Sequence, residues 1–95
     1  MNLDLKNKNA MICGATAGIG KATAMQLAAM GANITIVARN EQKLKATIAL
    51  LPTQDKQTHS YLVADFTNPA QLKDKVTTAA LKTNYHILLN NTGGP

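Results

Sequence analysis

The sequence of 95 residues predicts an α/β fold in which helices cover a doubly wound parallel sheet. Apolar runs of strand length alternate with segments of helical periodicity throughout the chain. Glycine-rich turns follow the first and the fourth of these runs. Because crossovers between parallel strands are right-handed, we expect a β-α-β-α-β-α-β order with the strands arranged 3-2-1-4. Residues 1–95 then form a single domain.

The first strand is predicted at residues 10–13 and the first helix at residues 19–30. This helix is apolar nearly all round, which indicates that it is covered on more than one side. Gly31 can adopt the left-handed conformation that ends many helices. The second strand is predicted at residues 34–38.

Asn40 is placed to cap the second helix and Pro52 to end it. Glu41 and Lys45, which lie four residues apart, are expected to pair on the solvent side of this helix. Its apolar positions recur at i, i+4 and i+7 and predict the buried stripe Leu44, Ile48 and Leu51.

The third strand is predicted at residues 61–64 and the fourth at residues 85–89. Between them, Asn68 is a helix cap, Pro69 occupies the first helical turn and Gln71 is the partner of a capping box. The predicted buried stripe of this third helix is Leu72, Val76 and Ala80.

Charged residues make up 16% of the chain and apolar residues 45%, a balance typical of globular proteins. Scattered lysines carry the net charge of +5 without a dense cluster, which indicates a solvated basic surface. The aromatic residues are too few to form a platform for stacked bases: Tyr61, Phe66 and Tyr85. We therefore expect no nucleic-acid partner.

The apolar runs are far shorter than the about 18 residues of a membrane span, and residues 1–9 are too polar for a signal peptide. We expect no membrane partner and a cytoplasmic location. Cys13 is the one cysteine, so it forms no internal disulfide, and we expect an inert buried thiol. His59 and His86 lie away from the expected crevice and are not predicted to be catalytic.

The first glycine-rich turn, at residues 13–20, joins the first strand to the first helix. One glycine can turn the chain sharply, one can let the backbone approach a pyrophosphate, and one can let the helix pack closely on the strand. The helix would direct its unsatisfied N–H groups and the positive end of its dipole at that anion. In the 3-2-1-4 order both glycine-rich segments meet at one crevice, as in Rossmann-type sheets.

The first turn reads Cys13-Gly14-Ala15-Thr16-Ala17-Gly18-Ile19-Gly20, and the fourth strand runs into Asn90-Asn91-Thr92-Gly93. These segments resemble the T-G-x-x-x-G-x-G and N-N-A-G motifs of the short-chain dehydrogenase/reductase family, in particular its 3-oxoacyl-[acyl-carrier-protein] reductase branch. Asp65 matches the family aspartate after the third strand, which contacts adenine. The resemblance covers essentially the whole chain, with Cys13 in place of Thr and Thr92 in place of Ala.

Arg39 stands at the end of the second strand, where a carboxylate would hold the ribose 2′-hydroxyl of NAD. Its guanidinium can grip a 2′-phosphate with two parallel hydrogen bonds, so NADP (NADPH) is favoured over NAD. The alternative is a solvent-facing arginine at a helix start. Together with the resemblance, these residues give the candidate cofactor site: Gly14, Thr16, Gly18, Ile19, Gly20, Arg39, Asn40, Asp65, Phe66, Asn90, Asn91 and Gly93.

The resemblance implies an NADP-dependent oxidoreductase that transfers hydride between NADPH and a ketone or secondary alcohol, such as a 3-oxoacyl thioester. The family's catalytic Ser and Y-x-x-x-K pair would follow the fourth strand, and neither Tyr61 nor Tyr85 has a lysine four residues later. The chain is therefore expected to be the cofactor-binding half, truncated before the catalytic segment and inactive alone. A full-length form would take a small-molecule or acyl-carrier substrate.

Two other functions are compatible with the residues. A non-catalytic module could bind NADP as a sensor or scaffold, and an anion- or RNA-binding basic domain would show steep salt dependence. The fourth strand would form an exposed sheet edge, so we expect a homo-oligomer.

Overall fold

A computed structural model describes residues 4–15, 17–54 and 56–90. Seven elements alternate in the predicted order: β1 (Asn9–Cys13), α1 (Gly18–Ala29), β2 (Asn33–Ala38), α2 (Glu41–Leu50), β3 (Ser60–Val63), α3 (Pro69–Lys82) and β4 (Ile87–Asn90). The strands are parallel and lie in the order β3-β2-β1-β4. The predicted α/β class and the 3-2-1-4 strand order are therefore confirmed.

The register of the sheet sorts its side chains onto two faces. Ile12 of β1 is paired with Ile36 of β2 and with Leu89 of β4, and Ile36 is paired in turn with Tyr61 of β3. Since successive side chains of a strand point to opposite faces, these residues share one face and Met11 belongs to the other.

The core between the sheet and the helices α1 and α2 is the larger of two. Ala24 and Ala28 of α1 are fully buried, and their small side chains allow the helix to lie close to the strands. The predicted stripe of α2 is confirmed, because Leu44 and Leu51 are buried and Ile48 packs against the same cluster. The main strand residues of this core are Ala10, Ile12, Ile34, Ile36 and Ala38.

The second core lies on the opposite face, where Met11, Cys13, Val37 and Ala64 are buried beneath α3. Leu72, Val76 and Ala79 of α3 pack against it, but Ala80 is exposed, so the third position of the predicted stripe was wrong. Ala79 lies seven residues after Leu72 and returns to the same side of an α-helix, whereas Ala80 is rotated about 100° further. No residue of α3 is fully buried.

The helix ends follow the sequence with one exception. The side-chain oxygens of Asn40 and Asn68 accept hydrogen bonds from the N–H groups of Lys43 and Gln71, at 3.1 and 3.2 Å, so both predicted caps are confirmed. The Gln71 side chain does not complete a capping box, because its oxygen accepts from the Asp65 N–H at 3.0 Å.

The strand β4 begins at Ile87 and not at residue 85. The His86 N–H donates to the Asn9 carbonyl at 2.8 Å, but the Asn9 N–H donates to Nδ1 of the His86 ring at 3.0 Å. The imidazole thus takes the place of a backbone carbonyl, and regular pairing starts one residue later. The described part of the chain contains no helix with the length and hydrophobicity of a membrane span.

Candidate functional site

The carboxyl ends of the parallel strands lie at one edge of the sheet. The adjacent strands β1 and β4 end together there, because Cys13 is paired with Asn90. The strand order reverses between these two strands, where a crevice is expected in sheets of this type. Gly14, Arg39 and Asp65 follow the ends of β1, β2 and β3 at the same edge.

Two glycines shape the turn between β1 and α1. Gly14 has a φ of +83° and its N–H donates to the Val37 carbonyl at 2.7 Å, so the turn leaves the sheet at a fixed point. Gly18 has a φ of +61°, and a Cβ atom built on it would meet nothing within 4 Å. The backbone of Gly18 is therefore open to a ligand, while its conformation disfavours any other residue.

The N-terminus of α1 faces the same opening. Its N-cap residue, Ala17, supplies no side-chain hydrogen bond to the first turn. Ile19 is 78% exposed, an unusual state for a large apolar side chain in the first turn of a helix, whereas Gly20 is buried. Thr16 lies outside the described residues.

Arg39 and Asn40 join β2 to α2, and both are exposed. The Asn40 side-chain oxygen is committed to the cap of α2, which leaves its amide group as the donor that could contact a ligand. Glu41 is predicted to pair with Lys45, and the structure gives its carboxylate another partner, the Tyr61 hydroxyl, which donates to it at 2.9 Å.

This hydrogen bond to Glu41 is the main cause of a raised pKa of Tyr61, with smaller contributions from burial and from the charge of Glu41. The Tyr61 hydroxyl therefore remains protonated, and remains a donor, throughout the neutral pH range.

Asp65 follows β3 in a tight turn. Its carboxylate accepts hydrogen bonds from the Thr67 hydroxyl at 2.7 Å and from the Thr67 N–H at 2.9 Å. These two bonds hold the pKa of Asp65 below its ordinary value, and the positive charge of Arg39 lowers that pKa further. Arg39 and Asp65 follow the paired strands β2 and β3, so the predicted phosphate-binding and adenine-binding residues lie at the same edge of the sheet.

The remaining predicted residues are arranged as follows. Phe66 is half-buried and packs against the core beneath α3. Asn90 is exposed at the end of β4. Asn91 and Gly93 lie outside the described residues. Cys13 is buried, and burial raises the pKa of its thiol, in agreement with an unreactive side chain.

Three residues that organise this edge were not predicted to belong to it: Tyr61, Thr67 and Gln71. The Asp-x-Thr spacing of residues 65–67 is a turn signal that could have identified Thr67. The contacts of Tyr61 with Glu41 and of Gln71 with the Asp65 N–H carry no local signal. In the described ranges, no group of three or more metal-ligating side chains comes together.

The chain shares its sequence pattern with one known protein family. A family model described as short chain dehydrogenase matches residues 8–95. The chain belongs to the short-chain dehydrogenase family. A human member named inactive hydroxysteroid dehydrogenase-like protein 1 is 37% identical over 84 residues, which is 88% of this chain and 26% of that protein. The uncharacterized oxidoreductase YvaG of Bacillus subtilis is 44% identical over 64 residues, or 67% of this chain and 24% of that protein.

Solved structures of the short-chain dehydrogenase family have the same fold. L-sorbose reductase from Gluconobacter frateurii, complexed with NADPH and L-sorbose, superimposes with a TM-score of 0.85 and 29% identity over 99% of this chain and 36% of that chain. The oxidoreductase yciK of Escherichia coli gives a TM-score of 0.83 at 22% identity, which shows the fold alone, over 98% of this chain and 39% of that chain. This chain thus spans about a quarter of the length of the curated relatives named above.

Proposed function

We propose that this chain binds the coenzyme of an NADP-dependent short-chain oxidoreductase. The observation that carries the proposal is the exposed Arg39 at the end of β2, where an NAD-binding protein would place a carboxylate. A guanidinium can bind the 2′-phosphate of NADP through two hydrogen bonds. The likeness to an L-sorbose reductase complexed with NADPH supports this choice over NAD.

The pyrophosphate would bind at the turn between β1 and α1. The open backbone at Gly18 and the uncapped N-terminus of α1 are what such an anion requires. Asp65 would accept a hydrogen bond from the adenine amino group, and the residues at the end of β4 would hold the nicotinamide ribose. The proposed site contains Gly14, Thr16, Gly18, Ile19, Gly20, Arg39, Asn40, Asp65, Phe66, Asn90, Asn91 and Gly93.

When bound, NADPH supplies the hydride that reduces a ketone to a secondary alcohol. The residues of this chain would hold and orient the coenzyme, and we assign none of them to proton transfer. A 3-oxoacyl thioester is the proposed substrate of the whole enzyme. This proposal is supported by a likeness to a structure provisionally assigned as a betaketoacyl-ACP reductase, at 28% identity and a TM-score of 0.78.

We propose that residues 1–95 form one coenzyme-binding domain, which does not catalyse the reduction by itself. The full-length enzyme would take a small-molecule or acyl-carrier substrate. We also propose that the protein self-associates through β4, which forms one edge of the described sheet. We propose a cytoplasmic location, and the single, buried cysteine is compatible with it.

The test is a titration of the protein with NADPH, NADH and ATP, followed by coenzyme fluorescence or calorimetry. We expect NADPH to bind at least about tenfold more tightly than NADH, since a charge-assisted bidentate pair contributes about 1.5 kcal/mol or more. Arg39→Ala should remove this preference and leave NADH binding nearly unchanged. Equal affinity for the two dinucleotides in the unmodified protein would contradict the NADP assignment.

A second candidate is a non-catalytic module that binds NADP as a sensor or scaffold. It is favoured by one observation, the human relative that is named inactive. Both candidates predict the same coenzyme affinity, so the discriminating measurement is NADPH-dependent reduction of ketones by the full-length parent protein. The anion- or RNA-binding alternative predicts that ATP or RNA competes with NADPH on equal terms, and the family match supports a dinucleotide instead.

A further inference from the structure

Two carboxylates lie at the edge of the sheet that also carries Arg39, and a hydroxyl group holds each of them. Glu41 follows Arg39 by two residues at the start of α2, and Asp65 follows β3, the strand paired with β2. The Thr67 hydroxyl donates to Asp65 at 2.7 Å, and the Tyr61 hydroxyl donates to Glu41 at 2.9 Å. The two bonds differ in origin, because Thr67 belongs to the turn of Asp65 whereas Tyr61 reaches Glu41 from another strand.

Without its hydrogen bond to Tyr61, the Glu41 carboxylate would be free to turn toward Arg39 and interfere with the function proposed for Arg39. Arginine binds carboxylates and phosphates with the same planar pair of N–H groups, so an ion pair between Glu41 and Arg39 would occupy the donors that a 2′-phosphate needs. Even without direct contact, a Glu41 carboxylate that turns toward Arg39 would come closer to a bound phosphate and repel it more strongly.

Tyr61 is well placed to prevent this interference. The backbone of Tyr61 is fixed in β3 by its pairing with Ile36, and its half-buried ring packs against the core beneath α1 and α2. A ring that is already fixed loses little conformational entropy when its hydroxyl forms a hydrogen bond. The direction of the Glu41 carboxylate is therefore set by the sheet and not by the exposed loop at residues 39–40.

We propose that Tyr61 is a positioning residue for coenzyme preference: its hydroxyl holds the Glu41 carboxylate on the β3 side of α2 and leaves the Arg39 guanidinium to a 2′-phosphate. The inference rests on the proposed NADP function. It assigns to Tyr61 no contact with the coenzyme, and its effect passes entirely through the charge of Glu41.

The variant that tests this is Tyr61→Phe, which removes the hydroxyl and keeps the ring in the core. The matched control is Tyr85→Phe, because the Tyr85 hydroxyl bonds to Thr35 on the opposite face of the sheet, at 2.9 Å. Dissociation constants for NADPH and NADH are measured by coenzyme fluorescence at low ionic strength, after circular dichroism has shown that each variant is folded.

We expect Tyr61→Phe to weaken NADPH binding about 2- to 5-fold, the effect of an exposed ion pair between Glu41 and Arg39 that competes with the phosphate, while NADH binding changes little. The double variant Tyr61→Phe with Glu41→Gln should recover the original ratio of affinities, because the amide carries no charge. Tyr85→Phe should leave the ratio unchanged.

The outcomes separate this inference from the function on which it rests. If the unmodified protein prefers NADPH and Tyr61→Phe retains the full preference, the role of Tyr61 is overturned and the NADP assignment stands. A loss of affinity that is equal for both coenzymes, or that Glu41→Gln does not reverse, also overturns it and assigns Tyr61 a structural role. If the unmodified protein binds both coenzymes equally, the NADP assignment and the inference fall together.

Discussion

At the scale of single residues, the edge that carries the proposed site is organised by hydroxyl donors. Thr67 and Tyr61 each fix a carboxylate at the edge that carries Arg39, and neither is one of the residues that a coenzyme-binding motif would name. Glycines act beside them through the backbone, since Gly14 and Gly18 have positive φ angles at the turn that the pyrophosphate would approach.

Thr67→Ala should raise the pKa of Asp65 toward its ordinary value, because it removes the largest of the interactions that lower it and leaves the N–H bond in place. The pKa is measured by following the side-chain carboxyl carbon of Asp65 by NMR. Thr58→Ala, which changes another loop threonine, is the control and should leave this titration unchanged.

The sign of the accompanying pH effect follows from the lowered pKa. A carboxyl whose pKa is lowered by folding stabilises the native state above its unfolded pKa of about 4, and this contribution is lost as the pH falls through the folded pKa. Urea unfolding of the unmodified protein and of Thr67→Ala should therefore differ most above about pH 4 and converge in more acidic solution. A difference that grows toward acid pH would contradict this account.

Gly14→Ala should destabilise the protein by about 1 to 2 kcal/mol, because alanine disfavours the φ of +83°. The measurement is denaturant unfolding. Ala17→Gly, a change in the same turn at an exposed position with an extended backbone, is the comparison and should cost much less. Equal effects would show that the left-handed turn is not present in solution.

At the scale of elements, the helices differ in how firmly they are held. Asparagine caps begin α2 and α3, and α2 packs through the buried Leu44 and Thr47, whereas α3 has no fully buried residue. The amino ends of β1 and β2 are joined to loops by histidines, since the Asn9 and Ile34 N–H groups donate to ring nitrogens of His86 and His59. These rings replace backbone carbonyls at the edge opposite the proposed site.

The contrast between buried and exposed leucines on α2 gives a prediction for this element. Leu44→Ala should lower the free energy of unfolding by about 2 to 5 kcal/mol, because Leu44 is fully buried in the core beneath α1 and α2. Leu50→Ala on the same helix should stay within about 0.5 kcal/mol, since Leu50 is 56% exposed. Chemical denaturation of both variants checks the difference, and similar costs would contradict the packing of α2.

At the scale of the whole molecule, the two ends of the parallel strands carry chemically different residues. The carboxyl edge carries the turns, the arginine and the carboxylates, while the amino edge carries the histidine and glutamine links to loops. One such link is the Gln57 side-chain amide, which donates to the Ala28 and Ala32 carbonyls at 2.8 and 2.7 Å. In β4, an outer strand of the described sheet, the Leu88 side chain is 65% exposed.

The exposed Leu88 on β4 predicts self-association, because an edge strand with exposed apolar side chains is a template for another chain. Leu88→Lys should reduce the association of the protein as measured by light scattering over a range of concentrations. Leu81→Lys is the matched control, since Leu81 is 83% exposed on α3 and away from the strand. An unchanged mass distribution for Leu88→Lys, or an equal reduction for both variants, would contradict association through β4.

The sequence determined the class of fold, the order of the strands, the caps of α2 and α3 and the family, because these depend on periodicity and on residue types at short spacing. It placed Gly14, Arg39 and Asp65 at the carboxyl edge for the same reason: parallel strands bring their ends together. The tertiary structure alone decided that Ala79 packs against the core in place of Ala80. It also decided that the Gln71 side chain accepts from the Asp65 N–H and that the Tyr61 hydroxyl donates to Glu41. Such contacts join elements whose relative rotation and distance depend on how the two cores pack, and local spacing along a chain carries no record of that packing.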